Sequence, residues 1–158
     1  MRIQRRGAVV GGSIVVVAAA MSLLVPGGAV RAAQIDPSQA EVVASGLAVP
    51  WGLAFLPDGS ALVGERNSGR ISRVRPGGPA QLVTTVSGVV AAGEGGLLGL
   101  AVAPTFAQDN LVYAYHTASA DNRIVRFRLD APQTQTVVLS GLAKATIHNG
   151  GRIAFGPD

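Results

Sequence analysis

The sequence predicts an all-β chain made of repeated four-stranded sheets. Three observations predict it. Beyond residue 40 there is no sustained helical periodicity, only short runs of Val, Ile, Leu, Phe and Tyr punctuated by Gly, Pro, Asn and Asp. The runs recur in order: "EVVASGLAVPWGLAFLPDGS" (41–60), "QLVTTVSGVVAAGEGGLLGLAVAPTF" (81–106) and "TVVLSGLAKATIHNGGRIAFGPD" (136–158) line up. Ser-Gly pairs fall at 45–46, 87–88 and 140–141, and prolines at 57, 104 and 157. The repeat is therefore about fifty residues long, the period of propellers and similar arrays. Four antiparallel strands per unit is the blade of a β-propeller.

Taken in order, the chain opens with a basic stretch (Arg2, Arg5, Arg6), an uncharged apolar run Ile14–Val25, and the small residues of "VRAA". That succession reads as a secretory signal peptide over 1–33, cut near Ala32 or Ala33. The apolar run falls short of the roughly 20 residues of a spanning helix, so no stable membrane anchor is expected. Arg5-Arg6 leaves both the general and the twin-arginine export routes open. Without the leader, nine basic residues face nine acidic ones, so no nucleic-acid surface is indicated. There is no cysteine; an exported chain of this kind holds together by burial alone.

A linker, 34–40, leads into a partial propeller over 41–158. Its first blade is expected to place strands at Trp51–Leu56, Ala61–Glu65, Arg70–Arg75 and Gln81–Val86, with "PDGS" and "RNSG" as tight connections. The second is expected at Leu97–Ala103, Leu111–His116, Arg123–Leu129 and Thr136–Leu139. In Arg123–Leu129, Val125, Phe127 and Leu129 alternate with Arg126 and Arg128, so one face is buried and the other solvated. The first strand of each unit is apolar on both faces, which suits an innermost strand between neighbouring sheets. Glu41–Ser45 resembles an outermost strand, and "GGRIAFGPD" the first strand of a third blade. Two blades and one strand fall short of the four to eight that close a propeller, so the sequence reads as truncated at its C-terminus.

In each unit one loop joins an outermost strand to the next innermost strand: 48–50, 89–96 and 143–150. Equivalent units place all three loops at one end, which puts Glu94 of "AAGEGG" and His148 of "TIHNGG" on a common rim. Paired glycines follow each, allowing tight bends or close approach to a ligand. A loop histidine at a channel mouth is either a general base, since imidazole titrates near neutrality, or a hydrogen-bonded loop cap. Glu94 is either a ligand to a sugar hydroxyl or a solvated acid. His116, at a strand end after Tyr113 and Tyr115, reads as structural, and Trp51 as packing.

Together "VPWGLAFLPDGSALVGERNSGRISRV" (49–74), "GEGGLLGLAVAPTF" (93–106), "LVYAYHTASADNRIVRFRL" (111–129) and "HNGGRIAFGPD" (148–158) resemble the glucose/sorbosone dehydrogenase family. These are exported six-bladed propeller enzymes that use pyrroloquinoline quinone and calcium. The resemblance is collinear over most of 40–158 and corresponds to the N-terminal third or so of such an enzyme. It implies oxidation of an aldose sugar at its anomeric carbon to the lactone, with hydride transfer to the quinone and electrons passed to an external acceptor. It further implies that His148 is the general base and that Glu94 lines the cofactor and sugar pocket. Glucose-oxidising relatives carry an acid immediately before this histidine where Ile147 stands here, which suggests the broader aldose dehydrogenase branch. The family's calcium ligands and its basic contacts to the quinone carboxylates lie in later blades, so none is assigned in this chain and the chain alone is expected to be inactive. The competing reading is a non-catalytic propeller that binds a glycan or a protein partner through the same rim. A lactone-hydrolysing propeller, which would need several rim acids around a metal, is the weakest reading, because Glu94 is the sole acid in these loops.

Overall fold

A computed structural model describes residues 36–157. The signal peptide expected over 1–33 lies outside the described residues. By compactness the chain divides into residues 1–38 and 39–158. At the junction, within the expected linker, Pro37–Gln39 forms one 3₁₀ turn, opened by Asp36, whose Oδ1 accepts hydrogen bonds from Ser38 N at 2.9 Å and Ser38 Oγ at 2.7 Å.

The body of the chain is two four-stranded antiparallel meanders. The first runs β1 (Pro50–Phe55), β2 (Ala61–Glu65), β3 (Arg70–Val74) and β4 (Gln81–Thr85), paired in that order. The second runs β5 (Leu97–Val102), β6 (Leu111–Thr117), β7 (Asn122–Arg128) and β8 (Ala131–Leu142), again in chain order. The β1–β2 turn forms because Asp58 Oδ1 accepts from Ser60 N (3.1 Å) while Leu56 N donates to Ser60 O (2.8 Å). Arg73 and Arg75 then pair with Asp58 at 2.5 and 3.3 Å. With the hydrogen bonds from Ser60 as the main cause, the Asp58 carboxyl is held down to about 2.

The sheets stack face to face around one apolar layer: Leu56, Leu62, Ile71 and Val86 from the first meet Leu97, Leu100, Val112, Ala114, Val125 and Phe127 from the second. Innermost β1 packs on innermost β5. At the far edge β4 is tied to β8 by Thr84 Oγ1 donating to Pro132 O (3.2 Å) and Gln135 Nε2 to Thr85 O (3.0 Å). Gly52 and Gly99 hold equivalent inner-strand positions. A Cβ on Gly52 would press on Leu100, and one on Gly99 would overlap the carbonyl oxygen of Gly151, so each inner strand can lie directly against its successor. In β7, Val125 and Phe127 point inward and Arg126 and Arg128 outward, as the alternation predicts.

Five details depart from the sequence reading. Residues 151–157 are not a strand. They lie against β5 and β6, with Phe155 edge-on to Tyr113 at 5.1 Å, but a strand needs a hydrogen-bonded partner and none is present among the described residues. Glu41–Ser45 is likewise irregular; Ala44 and Leu47 cover Ala61, Val63 and Val74 without joining the ladder. Innermost β1 is buried on one face only, with Trp51, Leu53 and Phe55 being 57%, 56% and 71% exposed, because the first sheet, among the described residues, packs against a neighbour on just one of its sides. Its counterpart β5, flanked on both sides, is buried almost throughout. Strand β8 is longer than Thr136–Leu139 because β7 holds it through three register irregularities, a pairing that leaves no apolar alternation to read. Finally, a one-turn helix α1 (Phe106–Asp109) follows β5, stopped by Asn110 at φ +55°.

Candidate active site at the rim

Successive strands reverse direction, so the loops entering β1, β5 and the 151–157 segment share one end of the stack with the β2–β3 and β6–β7 turns. The first loop is fixed by buried Glu65, whose Oε1 accepts from Ala48 N (3.0 Å) and Oε2 from Ser68 Oγ (2.7 Å). The Ser68 hydrogen bond is the main reason the Glu65 carboxyl sits below its ordinary value. The second loop is stitched to its neighbours by Val90 N donating to Thr117 O, Thr117 N to Gly96 O and Leu97 N to Arg66 O, each at 2.9 Å.

The second and third loops meet. Gly93, at φ +58°, has no room for a side chain, because a Cβ there would overlap the carbonyl oxygen of Thr146. That approach lets Glu94 N donate to Thr146 O at 2.9 Å. In return His148 N donates to Glu94 Oε2 at 2.6 Å, a short charge-assisted bond between residues 54 apart in sequence. His148 itself is left-handed, φ +60°, an uncommon conformation for a non-glycine residue. Its imidazole is exposed and, among the described residues, has no hydrogen-bond partner. The structure thus brings the two sequence candidates together, through the backbone of one and the carboxylate of the other.

Behind them lies a buried polar network that sequence reasoning missed. Thr117 Oγ1 donates to Asn122 Oδ1 (2.7 Å), and Asn122 Nδ2 donates to Ala143 O (2.8 Å) and Asn149 Oδ1 (3.2 Å). Asn149 Nδ2 donates to Ala145 O (2.8 Å), its Oδ1 accepts from Ala145 N (3.1 Å), and its carbonyl accepts from Tyr115 Oη (2.9 Å). Burial raises the Tyr115 phenol above its ordinary value, keeping it a donor. The one available signal was the pairing of Asn122 with a second asparagine directly after a candidate histidine.

The remaining residues separate. His116 is 1% exposed; its Nδ1 lies 3.3 Å from Thr117 O and its Nε2 has no partner among the described residues. Burial depresses its basicity, so it stays neutral inside the stack and cannot serve the rim. Trp51, expected to pack, instead leaves most of its ring exposed, with the Arg66 guanidinium 5.2 Å from the ring centroid, because its sheet face has no neighbouring sheet. Along the inner strands runs an open cavity of about 640 Å³, walled by Trp51, Gly52, Leu98, Gly99, Gly150 and Arg152 among others. Its size falls in the range of small-molecule sites.

Residues 47–158 match the family model described as glucose/sorbosone dehydrogenase. The chain belongs to the glucose/sorbosone dehydrogenase family. Among relatives in this family it is 33% identical over 135 residues to the quinoprotein glucose dehydrogenase B of Acinetobacter calcoaceticus, covering 75% of this chain and 28% of that protein. The pyrroloquinoline-quinone-bound aldose sugar dehydrogenase of Streptomyces coelicolor is similar at 46% identity and a TM-score of 0.68, over 74% of this chain and 37% of its own. The soluble aldose sugar dehydrogenase of Escherichia coli, solved in its apo-form, matches at 31% identity and a TM-score of 0.60, over 73% and 37%. The chain therefore spans about a third of the length of these glucose/sorbosone dehydrogenase relatives, and its two sheets are successive blades of their propeller.

Proposed function

We propose that this chain contributes the base-bearing rim of an exported quinoprotein that oxidises an aldose at its anomeric carbon to the lactone. The observation that carries the reading is the closure of two distant loops through His148 N and Glu94 Oε2, which leaves the imidazole exposed to solvent, two residues before Gly150 on the cavity wall. In this reading an imidazole nitrogen of His148 takes the proton of the anomeric hydroxyl as the adjacent carbon loses hydride. In the same reading Glu94 is a pocket residue of the whole propeller; here its Oε2 is engaged by the His148 backbone, and it does not line the cavity along the inner strands. The cavity wall sets Gly52, Gly99 and Gly150 among the large side chains of Trp51, Phe55 and Arg152.

Pyrroloquinoline quinone, the group bound in the Streptomyces coelicolor relative, is an anion that calls for cationic partners. An anionic quinone would find one guanidinium on the cavity wall, Arg152, beside Gly52, Gly99 and Gly150. These fit one edge of such a molecule. When bound, the quinone supplies a carbonyl carbon that accepts the hydride. Calcium fits less well: among the described residues no group of three or more His, Asp or Glu converges, so no calcium ligand is proposed here. With one cation for an anionic cofactor and an exposed inner-strand face on β1, the 158-residue chain alone is proposed to be inactive. Export through the N-terminal leader belongs to the same proposal; among the described residues no helix is long and apolar enough to cross a membrane.

The test is a graft of residues 41–158 onto the later blades of a family member, assayed with quinone, calcium, an aldose and an electron-accepting dye. His148→Ala is expected to lower kcat about 10²–10⁴-fold, the usual worth of a general base. Undiminished turnover would overturn the assignment.

A further inference from the structure

A general base needs a fixed aim, and in most sites a third side chain supplies it by hydrogen bonding to the base. This chain offers none: the imidazole of His148 has no side-chain partner among the described residues, and the residue before it is Ile147, half exposed and apolar. The aim must then come from the backbone. His148 sits at the tip of a five-residue loop, Ala145–Asn149, closed by a single side chain. The Asn149 amide donates to Ala145 O at 2.8 Å and accepts from Ala145 N at 3.1 Å, gripping both polar groups of the residue four positions earlier.

The grip is itself anchored. Asn149 is 6% exposed, and its Oδ1 also accepts from Asn122 Nδ2, while its carbonyl accepts from Tyr115 Oη. Asn122 and Tyr115 belong to β7 and β6, the rigid middle of the second sheet. A loop clamped in this way has little freedom except at its tip, where His148 is forced to φ +60° and its N–H is turned to Glu94 Oε2. Left-handed conformation at a non-glycine residue is disfavoured and persists only where the surroundings over-determine it.

We propose that Asn149 is the positioning residue for His148, holding its left-handed backbone and the His148 N–Glu94 bond through the Ala145 clamp. The role of His148 as base belongs to the preceding reading, on which the purpose of this clamp rests; the clamp itself is tested without turnover. The measurement is amide hydrogen exchange and backbone carbon shifts of the isotope-labelled full chain, in wild type, Asn149→Ala and Glu94→Gln. In Asn149→Ala the His148 amide should exchange roughly 10- to 100-fold faster, as expected when a hydrogen bond to a charged acceptor is lost. Its carbon shifts should leave the left-handed range while amides of β5, β6 and β7 keep their protection. Glu94→Gln should speed the same amide yet leave the carbon shifts left-handed, since the clamp is intact. A His148 amide and carbon shifts unchanged in a folded Asn149→Ala protein overturn the proposal. Should that variant lose sheet protection as well, Asn149→Asp decides, because it keeps the size and one acceptor oxygen but sets a second, repelling oxygen against Ala145 O in place of the donor. Faster His148 exchange in it upholds the clamp, and wild-type exchange refutes it. If His148→Ala is active in the graft while these exchange results hold, the base assignment fails and the clamp stands.

Discussion

Replacing Gly93 by alanine should separate backbone strain from loop contact. Gly93 and Gly77 both lie at positive φ, +58° and +73°. A Cβ on Gly77 meets nothing within 4 Å, whereas a Cβ on Gly93 overlaps the Thr146 carbonyl. Gly77→Ala should therefore lose only the left-handed backbone penalty, about 1–2 kcal/mol. Gly93→Ala carries that penalty and must also push the two loops apart. Separation removes Glu94 N–Thr146 O, worth about 1 kcal/mol, and the charge-assisted His148 N–Glu94 bond, worth about 1.5–3 kcal/mol where shielded and less at this exposed position. The difference between the variants is expected at about 1–3 kcal/mol in urea-denaturation midpoints, summed from these bonds. Alternatively the loops part without unfolding, and the loss shows only as faster exchange at the Glu94 and His148 amides. Equal stability together with wild-type exchange at both amides would refute the claim that these loops are locked together.

Three further outcomes are expected. Burial lowers the folded-state basicity of His116 below its ordinary 6.5, so its share of stability is complete above that pH and drains as pH falls beneath it, ahead of the carboxylates. The loss below pH 6.5, bounded for one proton by about 1.4 kcal/mol per pH unit, should be absent in His116→Phe, read as denaturation midpoints on either side of that pH. Phe127→Ala, at the centre of the inter-sheet layer with 1% exposure, should destabilise by about 3–5 kcal/mol in the same assay. Phe55→Ser, on the open β1 face, should reduce concentration-dependent association seen by light scattering while leaving the denaturation midpoint within about 0.5 kcal/mol.

The two sheets were legible because their signals are local. Alternation in Arg123–Leu129, turn residues in "PDGS", and the recurrence of Ser-Gly and Pro each bear on a few neighbouring residues, and strands formed within one or two residues of expectation except at β8. Strand β8 carries register irregularities and faces solvent, so its extent is decided by β7 rather than by its own pattern. Residues 151–157 and 41–45 read as strands for the opposite reason: their pattern is right, but a ladder is a property of two chains of backbone and no partner is present among the described residues. At the rim, Glu94 and His148 were legible as neighbours through the repeat alone. The way they touch was not, because it runs through a backbone amide.

By itself the sequence determined the class of the fold, the repeat, and the rim that two loops share, since these follow from periodicity and from equivalent units adopting equivalent places. Tertiary structure decided which atoms meet there. The Asn122–Asn149–Tyr115 network, the burial of His116 and the left-handed turn at His148 depend on distances between segments far apart in the chain. Hydrogen bonds are lost over a fraction of an ångström, and no spacing along a sequence carries that resolution.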